Sequence, residues 1–444
     1  MKLSDTLFKG RPRTPHLIAK GAGSLKYMLA SLRFRNFRLY FIGQCISVIG
    51  TWMQQIAMGW LAYKLTGSVL ILATVTFMEQ IPMLFATPVV SVFIDRFNRH
   101  KLLIFTQTLS MLQALLMAVL VLTNTIEVWH ILVLSLFIGL INALDMPTRQ
   151  AFYTSLVPRE SLTNAIALNS SAINGCRLIG PAIGGILIGW VGEGYCFLFN
   201  GLSYIGVILA LLMMKLKNTN RVGNSVNVWS DLTEGFHYVK DHFPIRALVV
   251  MMATISFFGV PFNTFVPAFV NLMLKGDSEM LGVLLSCIGV GAFSASAYLA
   301  SRKTVIGLGS AILYAAIVLG TSLCFISFVH IWWVAALLCI PIGFCTIISV
   351  ASINTLLQTL SDERMRGRVM GYLTMAFAGV PPLGALFFGA IEKWLGLPVV
   401  LFLLGTGALL TAWVFSLYLN RIRLESYPVF VEKGVVIHCE HSDT

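Results

Sequence analysis

Twelve stretches of twenty or more largely apolar residues run along the chain, at about 39–63, 67–94, 102–123, 128–150, 161–190, 194–214, 247–272, 280–300, 304–328, 331–357, 369–391 and 394–420. Short polar or charged turns separate them. At a rise of 1.5 Å per residue, about 20 residues cross the roughly 30 Å hydrocarbon core of a bilayer. The pattern predicts an all-α membrane protein of twelve transmembrane helices with little chain left for a soluble domain.

One polar interval is longer than the rest. Lys215 to about Arg246 divides the stretches six and six. Its "KNTNRVGNSVN" reads as a linker, and "WSDLTEGFHYVKD" as an amphipathic helix on the inner surface. The expected units are an N-terminal segment 1–36, a first six-helix bundle 37–216, a linker 217–244, a second bundle 245–421 and a tail 422–444. An internal repeat supports the division. "SLVPRESLTNAIALNSSAINGCRLIGPAIGG" joins stretches four and five, and at an offset near 203 "QTLSDERMRGRVMGYLTMAFAGVPPLGALFFG" joins stretches ten and eleven. Both pass from a charged turn into a helix rich in small residues and then into Pro-Gly elements.

Composition agrees with a membrane location, since 57% of residues are hydrophobic and only 11% are charged, against about 25% in soluble domains. Of the 31 lysines and arginines, 27 fall in the N-terminal segment, the even-numbered loops and the tail. The exceptions are Lys64, Lys275, Lys393 and Arg177. This is the positive-inside asymmetry of an even number of spans, and it places both termini in the cytoplasm. The net charge of +12 is thereby accounted for by topology and the anionic inner leaflet, without nucleic acid. The first 36 residues lack an apolar run with a small-residue cleavage site, so no removable signal peptide is expected. Cysteines 45, 176, 196, 287, 324, 339 and 345 lie within spans and Cys439 in the tail; without a CxxC or His/Cys cluster they read as small core residues, and no metal or cofactor is expected.

Within the spans only Glu79 and Arg177 are ionisable and far from an end. Counted from Asp95 and Leu162, they lie about 24 and 22 Å deep. Charges at such depth are costly and mark a pair, a pathway or a coupling site. Either the two form a structural ion pair, or Arg177 meets an anionic cargo group and Glu79 exchanges a proton. Other polar residues that would line a cavity are Gln54, Gln55, Gln80, Asn142, Asn169, Asn174, Asn263, Asn354 and Gln358, with Trp52, Trp60, Phe262 and Phe265 as stacking surfaces; interhelical hydrogen bonding or core packing is the ordinary alternative for each.

Stretch two runs into "DRFNRHK", and stretch four ends in "NALDMPTRQAF", which sets Asp145 and Arg149 four apart on one helix face with the acid first, the favourable order. That pair is either a gate element or a local ion pair at the membrane edge. "DRFNRHK" resembles the cytoplasmic motif between spans two and three of the major facilitator superfamily, with Asn98 where glycine is usual. The resemblance implies a latch on the cytoplasmic side for Asp95, Arg96 and Arg99. "GCRLIGPAIGG" resembles the Gly-x-x-x-Gly-Pro-x-x-Gly-Gly signature of span five in the superfamily's antiporters. It implies that Gly175, Gly180, Pro181, Gly184 and Gly185 form a kinked, side-chain-poor face for close packing between the halves. Together with "GTWMQQIAMGWLAYKLTGS" and "RMRGRVMGYLTMAFAGVPPLGALFFG" these segments are similar, over residues 31 to 420, to the bacterial drug:proton antiporter-like branch that includes the enterobactin exporter and macrolide efflux proteins.

The resemblance implies the major facilitator fold and a proton-driven exporter of the bacterial inner membrane that alternates access around a midplane site. An intramembrane cation suits an anionic siderophore as cargo. Multidrug or macrolide efflux and lysophospholipid transport are the alternatives, and an outer-membrane efflux partner is compatible with any of them. The sequence has no GxxxxGK[ST] phosphate loop to drive a pump by ATP, and its loops are too short to hold an enzyme site.

Overall fold

The computed structural model describes residues 29–94, 98–153, 156–214, 228–302 and 304–433. Asp95, Arg96 and residues 217–227 of the expected linker 217–244 lie outside these residues. After a 3-10 turn at Leu29–Arg33, helices follow in order: α1 Arg35–Thr66, α2 Val69–Ile94, α3 Arg99–Leu122, α4 Val128–Tyr153, α5 Leu162–Val191 and α6 Glu193–Leu212. Then come α7 Val228–Asp241, α8 Phe243–Phe258, α9 Pro261–Leu272, α10 Ser278–Ser301, α11 Leu308–Ile326 and α12 Trp332–Leu360. The chain closes with α13 Arg366–Thr374, a π turn at Met375–Gly379, α14 Val380–Leu395 and α15 Leu397–Glu432.

Among the described residues ten helical stretches are long and apolar enough to cross a membrane: α3, α4, α5, α6, α8 with α9, α10, α11, α12, α13 through α14, and α15. Val69–Met83 of α2 is a shorter apolar helix. α1 is as long but more polar, carrying Arg35, Arg38, Gln44, Gln54 and Gln55. The last helix extends to Glu432, past the expected bundle edge at 421, and the amphipathic helix of the linker is α7.

Local chemistry sets several ends. Gly67, in the left-handed region at φ 60°, ends α1 and returns its N–H to the Tyr63 carbonyl at 2.7 Å. Asn98 opens α3, its side chain accepting from the backbone N–H groups of His100 and Lys101. Pro181 lies inside α5, which continues through it. In the second of the repeated segments, Pro381 and Pro382 follow directly on the π turn. Prolines withhold two N–H groups from the preceding turn, and the wider i→i+5 turn accommodates the loss. An offset of 203 carries Leu162–Val191 onto 365–394, within one residue of Arg366–Leu395.

The helices are arranged for lipid outside and polar packing inside. On α3, Phe105, Leu112, Leu116 and Val119 are exposed on one face, whereas Thr106, Gln107, Ser110 and Gln113 are buried on the other. Where the surroundings are as apolar as leucine, packing and interhelical hydrogen bonds hold helices together.

The helices before the 215–227 interval and those after it meet where α5 crosses α10 and where α2 crosses α14. A Cβ on Gly185 would lie 2.7 Å from the Gly282 Cα, and one on Gly282 would lie 2.9 Å from the Gly185 Cα. At the other crossing, a Cβ on Gly389 would lie 3.0 Å from that of Ala73. All four positions are near the end of the bundle that holds the 66–69 and 395–397 turns, here the distal end. The described termini, Leu29 and Lys433, belong to the opposite, proximal end. There α7 rests on the turn between α12 and α13. Glu234 pairs with Arg368 at 2.7 Å, and the Asp362 N–H donates to the Tyr238 hydroxyl at 3.2 Å.

Candidate transport site at mid-depth

Arg177 is the sixteenth residue of the thirty in α5, which puts it about 22 Å from either end of that helix. Its guanidinium lies over the Trp52 ring of α1, 5.4 Å from the ring centroid, a distance at which the ring's quadrupole attracts a cation. The antiporter-like glycines explain how that ring reaches it. A Cβ on Gly180 would lie 2.6 Å from the Trp52 Cβ, so only glycine, one turn past Arg177, lets the tryptophan approach α5 so closely. From the other half, α10 meets the Arg177 backbone: a Cβ on Gly289 would lie 3.0 Å from the Leu178 Cα and 3.3 Å from the Arg177 carbonyl oxygen. Arg177 is half-buried and has no carboxylate partner among the described residues.

Glu79 is at comparable depth on α2, ten residues from its distal end. Its backbone carbonyl packs against Gly139 of α4, where any side chain would collide with it. The carboxylate is half-buried and forms no ion pair with Arg177 or with another described residue. Of the two open readings of these charges, the structural ion pair is therefore not the arrangement found.

The remaining sequence candidates separate. Gln54 is 7% exposed and belongs to a buried network, not a free cavity wall. Its Nε2 donates to the Gln113 Oε1 at 3.0 Å, and its Oε1 accepts from the Asn200 Nδ2 at 2.7 Å, tying α1 to α3 and α6. Gln113 in turn donates to the Leu134 carbonyl at 3.4 Å. Gln55 is exposed and Asn142 half-buried. For Asn174 only the backbone, within α5, is described. Phe262 and Phe265 are fully buried, so of the two readings open for them, stacking on cargo or core packing, the structure has them in the core. Asn354 accepts from Gln358 one turn on, at 2.9 Å. Of the hinge residues, Gly180 and Gly184 turn towards α1 within their own half, and Gly185 towards α10 in the other. Pro181 is buried beside that crossing, and a side chain at Gly175 would meet nothing within 4 Å. The glycine face thus divides its work between the two halves, whereas the sequence suggested a single face between them.

Nearer the proximal end, Asp145 is 1% exposed and pairs with Arg149. Its Oδ1 accepts from the Thr106 hydroxyl at 2.7 Å and from the Gln107 Nε2 at 2.8 Å. The Arg149 Nε, the Gln107 Oε1 and the Tyr40 hydroxyl are buried beside other polar groups without a partner. Arg99 opens α3 behind its Asn98 cap. Sequence reading passed over Thr106, Gln107, Gln113 and Asn200. The signal was the spacing 106, 107, 110, 113, a polar stripe of helical period in an otherwise apolar stretch. Among the described residues no group of His, Cys, Asp and Glu side chains converges as a metal site would require.

A half-buried guanidinium seated on an aromatic ring, with no acid to neutralise it, can receive an anion; a half-buried lone carboxylate can take up and release a proton. The comparisons agree in kind. Over residues 27–427 the chain matches the transmembrane secretion effector family. It is 24% identical over 390 residues to the staphyloferrin A transporter of Staphylococcus aureus (strain NCTC 8325 / PS 47), an alignment covering 87% of this chain and 97% of that protein. It is also 24% identical over 378 residues to the multidrug efflux pump Tap of Mycolicibacterium fortuitum, covering 83% and 91%. In fold it resembles the solved nucleoside transporter NupG, with a TM-score of 0.68 at 11% identity over 88% of this chain and 99% of that one. The chain belongs to the transmembrane secretion effector family, multi-pass membrane transporters of the major facilitator superfamily.

Proposed function

We propose that this transporter is a proton-coupled exporter of an anionic siderophore, resident in a bacterial inner membrane with both termini cytoplasmic. Its two six-helix halves, residues 37–216 and 245–421, form twelve spans and alternate access around a midplane site. The observation that carries the reading is Arg177: a charge at the centre of a span costs about 3 kcal/mol or more to keep there, and among the described residues its guanidinium meets the Trp52 ring and no carboxylate. A carboxylate or catecholate cargo would supply the missing counter-charge. Glu79, unpaired at the same depth, is the proton-exchanging group, with Gln55, Asn142 and Asn174 as further cavity-lining residues. The Asp145–Arg149 pair, with Asp95, Arg96 and Arg99, is the cytoplasmic gate, and the Gly180–Gly185 segment is the hinge. The name of the staphyloferrin A transporter supports the cargo class. The equal identity to a multidrug efflux pump keeps lipophilic drug export as the second reading.

The test is the siderophore content of medium and cells from a deletion strain grown without iron, beside the complemented strain. Siderophore export predicts loss from the medium and retention in the cells. Unchanged secretion in a strain lacking other exporters sinks the cargo assignment and moves it to drugs.

A further inference from the structure

A second site lies away from the transport pathway. At the proximal end a cavity of about 410 Å³ opens between α8, the 304–307 turn, α11, α12 and α15. Its floor is apolar and buried, made by Leu248, Leu356, Leu360, Leu419 and Ile422. Its mouth is exposed: Ile306 is 51% and Tyr427 47% accessible, with Arg423 beside them. Protein interiors are close-packed, and an apolar cavity of this size neither holds water well nor fills itself.

Two features show what would fill it. The first is charge at the mouth. Arg423 donates to the Ser310 hydroxyl at 2.6 Å, and Arg302 donates to the Ile306 carbonyl at 2.7 Å. Neither has a carboxylate partner among the described residues, and each guanidinium has donors to spare. Their neighbour Arg421 is already engaged, 2.7 Å from Glu425 and 4.0 Å from the Phe243 ring centroid. The second is Ser426, which lines the cavity at 3% exposure with a hydroxyl that has no hydrogen-bond partner. An apolar slot, an unsatisfied hydroxyl and guanidiniums beside it match in kind the acyl chain, ester and phosphate of a membrane lipid. Leu360, which lines the cavity, is the last residue of α12, so the cavity lies at the level where a spanning helix ends and lipid headgroups begin.

We propose that this cavity is a binding site for an anionic phospholipid of the surrounding leaflet, with one acyl chain between α12 and α15 and the phosphate on Arg423, assisted by Arg302. A free phosphate would leave the apolar slot empty, and a neutral lipid would leave the guanidiniums without a counter-charge. The site does not depend on the cargo or on the direction of transport.

The experiment is native mass spectrometry of the full chain in detergent, offered phosphatidylglycerol or phosphatidylethanolamine at equal concentration. The parent retains phosphatidylglycerol in preference. R423Q loses about tenfold or more of that retention, as expected when a charge-assisted hydrogen bond is removed. S426L, which fills the slot, loses both lipids, and R421Q behaves as the parent. A melting curve for each variant separates lost binding from lost folding, and S426L carries the test if R423Q does not fold. Equal retention of the two lipids by the parent, or parent-like retention by both R423Q and S426L, overturns the proposal. So does a full chain that takes lipid only after residues 434–444 are deleted, since the tail would then be the occupant.

Discussion

The side chains that matter most are polar groups placed where lipid surrounds the protein, and their partners divide them into two kinds. Asp145 is fully engaged by Thr106, Gln107 and Arg149, so it stabilises the packing of α3 on α4 by being satisfied. Removing it strands a largely buried guanidinium. We expect Asp145→Ala to lower stability by about 3–5 kcal/mol, read as a lower midpoint of thermal unfolding in detergent, with Asp145→Ala/Arg149→Leu recovering much of the loss. A single variant as stable as the parent contradicts this account of the pair. Arg177 is the other kind, held by a ring and without a carboxylate partner among the described residues. A cation–π contact is worth about 0.5–2 kcal/mol. Trp52→Ala should therefore raise the KM for an anionic cargo roughly two- to thirtyfold and leave kcat nearly unchanged. An unchanged KM would separate Trp52 from the site.

At the scale of elements, the Gly185–Gly282 crossing is the contact that has to open if the halves alternate. A Cβ at either position would lie within 3 Å of the partner helix's backbone, closer than real side chains come, so any side chain there wedges α5 and α10 apart. Gly185→Val should therefore hold the crossing open and lower transport at matched amounts of folded protein, read as cargo flux in vesicles beside the parent. Full transport by Gly185→Val would show that the close crossing of α5 and α10 is not needed. Much of the element pattern was legible in the sequence: the apolar stretches fall mainly in helix, the one at 247–272 being broken at 259–260, "WSDLTEGFHYVKD" is the surface helix α7, and counting residues sets Glu79 and Arg177 far from the ends of their helices. Which way each side chain faces was not. A helix apolar on every side has no amphipathic stripe to fix its rotation, so counting could not tell whether Glu79 and Arg177 meet. For the same reason Gln54 could be read as a cavity residue, since a polar group in an apolar helix serves a neighbouring helix as readily as a cargo. For Phe262 and Phe265 both stacking on cargo and core packing stayed open, because an aromatic beside an asparagine in "PFNTFVPAF" gives no hint that α9 buries them.

For the whole molecule, the fold and the family make it a membrane transporter, and on the proposed reading its cargo and its driving proton use the two different midplane charges. Glu79 as the proton site predicts that Glu79→Gln, in vesicles carrying an imposed pH gradient, abolishes gradient-driven accumulation while leaving exchange of cargo down its own gradient. Accumulation equal to the parent's assigns the coupling elsewhere. The central claim, that Arg177 is the counter-charge for an anionic cargo, is tested most directly by uptake of a carboxylate siderophore and of its uncharged ester into inside-out vesicles containing parent or Arg177→Ala protein at matched amounts. The account predicts that the variant loses the anion and keeps measurable transport of the ester. Transport of the anion at the parent's rate by Arg177→Ala would contradict it.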